Sequence, residues 1–292
     1  LAGVNGAQAV HVNPDGLGQV LLYPLYTTND GQDTLIQLVN TTDEYKAVEV
    51  RILESMNSQE VLDFNLYLSP YDHWSAQVFA NEDGGASIVT ADTSCTVPTG
   101  VSDGLAIPFR STLFDGSGDA TADSVNTIDR TKEGYIEVIE MGVVIDSDDG
   151  VAAAIKHING IPGGDPESCN FLDTRWAAGG VWDDDPSDGI TAPTGGLYGY
   201  GVLIDVARAT NATYDAVAID NWTQGSPFHT GPGFLTPNLG SGSTDYDIFD
   251  QGGVVSGSTG GDLAGWDAIS ALFMHNSISN DYVLEPTIGA GT

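Results

Sequence analysis

Lysine is nearly missing from this chain: three in 292 residues, at Lys46, Lys132 and Lys156. Five arginines bring the basic residues to eight, against 41 acidic ones, for a net charge of −33. A chain so poor in cations cannot build the basic surface that neutralises phosphates, which excludes nucleic acid as a partner. Anionic membrane surfaces repel it for the same reason. Long apolar runs are missing as well. No window approaches the roughly 18 residues of a membrane-spanning helix, so no membrane insertion is expected. Heptads of Ala, Glu, Lys, Leu and Arg are absent, which argues against coiled coils and helical bundles. Cysteine occurs only as Cys95 and Cys169, with no CxxC, CxxCH or Cys/His cluster. Zinc, iron–sulfur and c-type haem therefore find no ligand pattern.

What is present points to a packed β protein. Hydrophobic residues make up 41% of the chain, enough for a core and too many for disorder. Glycine (37) and proline (13) are abundant. Aspartate outnumbers glutamate by 31 to 10. Helix surfaces favour Glu, whereas turns favour Asp, whose short side chain bonds its own backbone, so the acidity belongs to turns. It is uneven: residues 1–80 carry a net −8 and residues 81–292 a net −25. Such a surface repels itself and gains from salt or bound cations. The composition and three N-x-S/T sequons suit an oxidising compartment, in which Cys95 and Cys169 form a disulfide. The bland alternative is two unpaired buried thiols.

Period-two alternation is clearest over residues 17–80. Leu17–Thr27, Thr34–Asn40, Ala47–Leu53, Val61–Leu68 and His73–Phe79 read as strands, separated by turn signals such as Asn29-Asp30-Gly31 and Ser69-Pro70-Tyr71-Asp72. Within Ala47–Leu53, Val48, Val50 and Ile52 make one face, while Glu49 and Arg51, with Glu54 beyond, make the other. Gly134–Asp146 and Leu197–Val206 are further strands, with another at Tyr214–Ile219. Short helices are expected at Val151–Ile158 and Leu263–Met274. Residues 81–133, 159–196 and 223–262 read as ordered loop excursions. The expected architecture is mainly β: an antiparallel β-sandwich, immunoglobulin-like or jelly-roll-like, with long Gly/Asp-rich loops and one or two short helices. Residues 13–292 form one elaborated sandwich, with strand core 17–80, 134–146 and 197–219.

Residues 1–12 stand apart as a small-residue, apolar arm carrying Leu1, Val4, Val10 and Val12. Ala7-Gln8-Ala9 has the form of a signal-peptidase site, but no charged n-region or long apolar h-region precedes it. The arm is read as part of the mature chain. An extended segment of this kind can add a strand to a neighbour's sheet, or pair within its own chain. At the other end, Ile288–Thr292 reads as cut rather than finished.

Catalytic patterns are weak. The G-x-S-x-G elbow is absent, since Val254-Val255-Ser256-Gly257 lacks the first glycine. His11, His73, His157, His229 and His275 are scattered. Three aspartate clusters offer oxygen to calcium: Asp115–Asp119 with Asp123; Asp146, Asp148 and Asp149; and Asp183, Asp184, Asp185 and Asp188. Asp146, Asp148, Asp149, Asp183, Asp185 and Asp188 are the candidate ligands, with solvated acidic turns as the alternative. Trp176, Trp182, Trp222 and Trp266 either stack on sugars or cover the sandwich. Asn40, Asn211 and Asn221 head the sequons.

Three strings are distinctive: Val12-Asn-Pro-Asp-Gly-Leu-Gly-Gln-Val-Leu-Leu-Tyr-Pro-Leu-Tyr26, Val61-Leu-Asp-Phe-Asn-Leu-Tyr-Leu-Ser-Pro-Tyr-Asp-His-Trp74 and Gly134-Tyr-Ile-Glu-Val-Ile-Glu-Met-Gly142. Together they resemble a family of uncharacterised secreted proteins of Gram-negative bacteria. The likeness covers the first 80 residues and becomes patchy through Leu197–Ile219 and Trp266–Thr292. It implies secretion and further strands beyond Thr292, and brings no activity or catalytic residues.

Two functions follow as expectations. The first is a secreted structural protein without enzymatic activity, a subunit of an extracellular filament or surface layer, whose partners are copies of itself joined by strand addition from the arm. The alternative is a calcium-dependent module that binds extracellular polysaccharide, or an enzyme acting on it.

Overall fold

A computed structural model of the chain describes residues 9–101, 104–118, 121–145, 150–158, 164–223, 225–250, 253–260 and 264–274. In chain order the strands begin with β1 (His11–Val12), β2 (Val20–Thr27), β3 (Asp33–Asn40), β4 (Tyr45–Glu54), β5 (Glu60–Leu68) and β6 (His73–Ala80). Short strands β7 (Ala86–Val89), β8 (Cys95–Val97) and β9 (Ile107–Pro108) follow, then the long β10 (Glu133–Val144). Helices α1 (Val151–Ile155), α2 (Asn170–Trp176) and α3 (Val181–Asp184) precede β11 (Ile190–Thr191). Next come β12 (Leu197–Asp205), β13 (Thr210–Asp215) and β14 (Val217–Asp220). A hairpin of β15 (Asp245–Asp250) and β16 (Gly253–Ser258) leads to α4 (Ala264–Met274).

Every strand pairing in the sheets is antiparallel. The larger sheet has the order β1-β14-β2-β10-β4-β5-β8, with β11 on the end of β10. The second has the order β13-β12-β3-β6-β7-β9. Val48, Val50 and Ile52 of β4 and Ile136 and Val138 of β10 meet Ile36 and Leu38 of β3 and Trp74, Ala76 and Val78 of β6 in one buried core. These two facing sheets are the sandwich that the alternation predicts. The three distinctive strings lie at its heart: the first leads into β2, the second is β5–turn–β6, and the third is the middle of β10. Glycine is required where strands approach closely. A Cβ on Gly199 would sit 2.0 Å from the Tyr23 hydroxyl, which donates to the Gln37 carbonyl at 2.7 Å.

The larger sheet is buried on its outer face too, which the sequence does not announce. Its α1–α3 side packs Ala47, Tyr67 and Met141 of the sheet against Val151, Ile155, Leu172 and Trp182. Its β14 side packs Val20, Ile139 and Ile219 against Trp222, Ile248, Ile269 and Leu272. The excursions read as loops therefore hold structure of their own. Residues 81–133 contribute β7, β8 and β9; residues 159–196 contribute α2, α3 and β11; residues 223–262 contribute the β15–β16 hairpin. The short helix at 151 and the helix ending at Met274 are present, the first ending at Ile155.

Cys95 and Cys169 are bonded, across 74 residues of sequence. Cys95 lies on the edge strand β8 and Cys169 immediately precedes α2, so the bond fastens the helical excursion to the sheet. Closing a loop of that length stabilises by about 4 kcal/mol in the chain-entropy account. Replacing both cysteines with alanine is expected to lower the unfolding free energy by about that amount in urea titration, without altering the fold by circular dichroism. A loss under about 1 kcal/mol would show that the excursion holds itself in place.

Candidate functional site

The arm, where it is described, is tied into its own chain. Val10 N–H donates to the Asp245 carbonyl and the Val10 carbonyl accepts from Asp247 N–H, both at 2.9 Å, in a parallel bridge to Tyr246. His11 and Val12 then pair antiparallel with Asp220 and Ile219 of β14. Three consecutive residues thus stitch the hairpin to the large sheet. Val10 is fully buried, Val12 packs half-buried on the same cluster, and the His11 ring meets Phe249 edge-on at 5.2 Å. Leu1 and Val4 lie outside the described residues.

The stitching leaves the outer edge of the hairpin open. β15 lies between Val10 and β16, and among the described residues no strand pairs with the far side of β16. β16 carries no charged residue, and Val254 and Val255 are about half exposed. Phe249, opposite Val254, is exposed as well. Unpaired backbone donors and acceptors beside exposed apolar side chains form a template for another strand, and natural edges are usually blunted by charge, proline or bulges. The alternation of Tyr246 and Ile248 with Asp245 and Asp247, then Gly252-Gly253 and two valines, is a hairpin signal that the Gly/Ser-rich surroundings obscure.

The aspartate clusters do not converge where they are described. Asp183 accepts from Gly179 N–H at 2.9 Å. Asp185 accepts from the Ser187 hydroxyl and N–H at 2.7 and 3.1 Å. Asp188 pairs with Arg175 at 2.6 Å. Each carboxylate serves its own turn, and among the described residues no three His, Cys, Asp or Glu gather as metal ligands. Asp146, Asp148 and Asp149 lie outside the described residues. The sequons also separate. Asn40 is fully buried and donates to the carbonyls of Glu44 (2.7 Å) and Ser69 (2.8 Å), which leaves no room for a glycan and corrects the expectation for that site. Asn221 is half-buried with φ +52°. Asn211 stands exposed on the edge strand β13.

Of the tryptophans, Trp182 and Trp222 are buried, and Trp176 and Trp266 half-buried. One Ser–His–Asp cluster does form: His157 Nδ1 lies 3.0 Å from Ser69 Oγ and 3.4 Å from Asp72 Oδ2. Both partners approach the same ring nitrogen. A proton relay needs them on opposite nitrogens, so this is a turn clamp and not a triad.

The charged face of β4 is buried beneath the excursions. Arg51 bonds Glu137 and Glu60, both at 3.0 Å, and Arg110 joins Glu60 to Asp63. Glu49, opposite Asn65, lies on the same face. At one end of the sheet, Lys46 pairs with Glu140 at 2.9 Å, both side chains wholly buried; Glu140 also accepts from Thr194 and Gly195 N–H. At the other, Arg130 grips Glu54 with two bonds, 2.7 and 3.0 Å. Burial opposes the Glu54 charge, but Arg130 and three backbone N–H groups overcome it and hold the pKa at about 2. Burial wins at Glu137: it lifts the pKa to about 7 against the pull of Arg51. Burial, reinforced by Asp63, raises Glu49 well above the usual carboxylate range. Seven of the eight basic residues are held in ion pairs.

No family model, curated protein or solved structure matches this chain.

The raised pKa of Glu137 fixes a pH dependence. Between its unfolded value near 4.5 and about 7, the folded state holds a proton that the unfolded chain has released. Stability therefore falls as pH rises through that window and levels off above it. Glu137→Gln keeps an acceptor for Arg51 and cannot ionise. Its urea stability is expected to lose up to about 3 kcal/mol of the wild-type decline between pH 5 and 8. Parallel wild-type and variant curves would mean that Glu137 is ionised throughout.

Proposed function

We propose that the chain is a secreted structural protein, a subunit of a self-assembling extracellular filament or surface layer that performs no reaction of its own. Copies are joined by strand addition from the N-terminal arm. Val10 and Val12 are engaged in their own chain, so the donated strand is the segment before Ala9, carrying Leu1 and Val4. The observation that carries this reading is the open edge of β16, uncharged and flanked by exposed Val254, Val255 and Phe249. Backbone hydrogen bonds supply the affinity of such a joint, and side chains in alternate pockets supply its register. The donor and acceptor surfaces differ, so the contact is heterologous and propagates as an open filament where its rotation does not close a ring.

Charge sets the conditions. With 41 acidic against eight basic residues, four of the latter buried, each subunit presents a strongly anionic exterior, and assembly has to be screened by salt or bridged by divalent cations. Secretion agrees with the disulfide and with the family resemblance. The glycan-binding alternative is less well supported, since Trp182 and Trp222 are wholly buried and cannot offer a ring face to a sugar.

Sedimentation velocity and negative-stain microscopy test the joint. In high salt the wild-type chain is expected to form open, concentration-dependent assemblies. A chain lacking residues 1–8 and the variant Val255→Lys are both expected to sediment as 30.5 kDa monomers. Val255→Lys reduces the net negative charge, so loss of assembly there cannot be laid to repulsion. Monomers under every condition, or undiminished assembly by both variants, would overturn the reading.

A further inference from the structure

A cavity of about 350 Å³ opens between the α2–α3 segment and residues 230–234, independent of the open edge. Trp176 and Trp182 form its inner wall, Pro186 and Pro232 its sides, and Phe234 its mouth. Phe234 is 62% exposed, beside Leu235, which is also exposed. The loop that carries it is fastened to β5: Asn65 donates to the Thr230 carbonyl at 2.8 Å, and Gly233 N–H donates to Asp63. Gly231 keeps the slot clear. A Cβ there would lie 3.4 Å from both the Trp176 ring and the Phe234 ring.

The inner wall is rigid. Trp176 Nε1–H donates to the Tyr67 hydroxyl at 3.1 Å, and that hydroxyl lies 2.9 Å from His229 Nε2. His229 Nδ1 faces the Pro186 carbonyl, which can only accept, so Nδ1 carries the proton and Tyr67 donates to Nε2. Burial lowers the His229 pKa to about 4, and the ring stays neutral at pH 7. Every polar atom of this chain of contacts is satisfied without a ligand; Trp182 is covered by Arg175 and the stacked Tyr67, which leaves the Trp176 and Phe234 rings as the accessible aromatic surface.

The lining is selective in charge. Asp183 is its one charged side chain, and no basic residue lines it. The neighbouring guanidinium of Arg175 lies over the Trp182 ring at 4.8 Å and pairs with Asp188. Aromatic faces attract cations through their quadrupole, and a carboxylate among them reinforces it. The net charge of −33 raises the local cation concentration further. A sugar would fare poorly here. Thr230 supplies the one other polar side chain, and its hydroxyl already donates to the Thr236 carbonyl at 2.6 Å. Most sugar hydroxyls would lose water and find no partner.

We infer that this cavity binds a small organic cation of the quaternary or methylated ammonium class, held between Trp176 and Phe234 and neutralised by Asp183. The test is calorimetric titration of the whole chain with choline, with 3,3-dimethylbutan-1-ol and with methyl glucoside. The alcohol has the shape of choline without the charge. Choline is expected to bind saturably, the alcohol about fivefold or more weakly, and the glucoside not at all. Phe234→Ala and Asp183→Asn change exposed side chains, and Asn retains an acceptor for Gly179. Each is expected to weaken choline binding about three- to tenfold with an unchanged melting temperature. Equal binding of choline and its neutral analogue, tighter binding of the glucoside, or no saturable binding of choline would each overturn the inference.

Discussion

The structure depends on one sheet being covered twice. The large sheet packs its inner face on the second sheet, as any sandwich does, and its outer face beneath helices, loops and a hairpin drawn from three excursions. An outer face that meets water can carry charge freely. A buried one cannot, because an unpaired charge there loses its hydration. The ionisable groups of β4, β5 and β10 are accordingly gathered into three clusters, around Lys46, around Arg51 with Arg110, and around Arg130. Four of the eight basic residues, Lys46, Arg51, Arg130 and Arg175, are buried in ion pairs, which leaves few cations for the exterior.

Covering the sheet also requires fasteners, since loops rich in Gly and Asp have little intrinsic preference for a packed position. Three kinds are used. The disulfide pins the helical excursion at the β8 edge. Gln19, buried at the start of β2, accepts from Thr223 N–H and donates to the carbonyls of Pro193 and Thr223, tying two excursions to one strand. Val10, His11 and Val12 stitch the hairpin to β14. This last fastener closes the outer rim of β1 and displaces the open edge outward, to β16. In the proposed assembly, the feature that completes the fold within one chain thus also presents the edge offered to a second chain.

Much of this was legible in the residues. The period of two over 17–80 placed β2 to β6, and the run of Tyr135, Ile136, Val138 and Ile139 placed β10. What was not legible was cover. Alternation in β4 reports that Glu49 and Arg51 share a face, but solvent and a lid of loops produce the same pattern, and only tertiary contact decides between them. The hairpin hid for a related reason: Gly253, Ser256 and Ser258 lower the apparent strand propensity of β16, while pairing with Tyr246 and Ile248 overrides it. The aspartate turns misled in the other direction. Sequence proximity put Asp183, Asp185 and Asp188 on one candidate site, whereas each folds back onto its own local donor or guanidinium. Asn40 fits its sequon in sequence and is buried at the end of β3, where its amide serves a turn. The Tyr67–His229–Trp176 contact joins residues more than 100 positions apart, beyond any local pattern.

Native-state hydrogen exchange, read amide by amide, tests the central claim most directly, because it reports the doubly covered sheet and the open edge in one experiment. In dilute solution β4 and β10 are expected to exchange slowest of all segments, and the outward amides of β16 to exchange fast. In the assembled state those β16 amides become protected, with β4 and β10 unchanged. Fast exchange along β4 and β10 would show that the outer face is not sealed. Unprotected β16 amides in the assembly would show that copies join elsewhere.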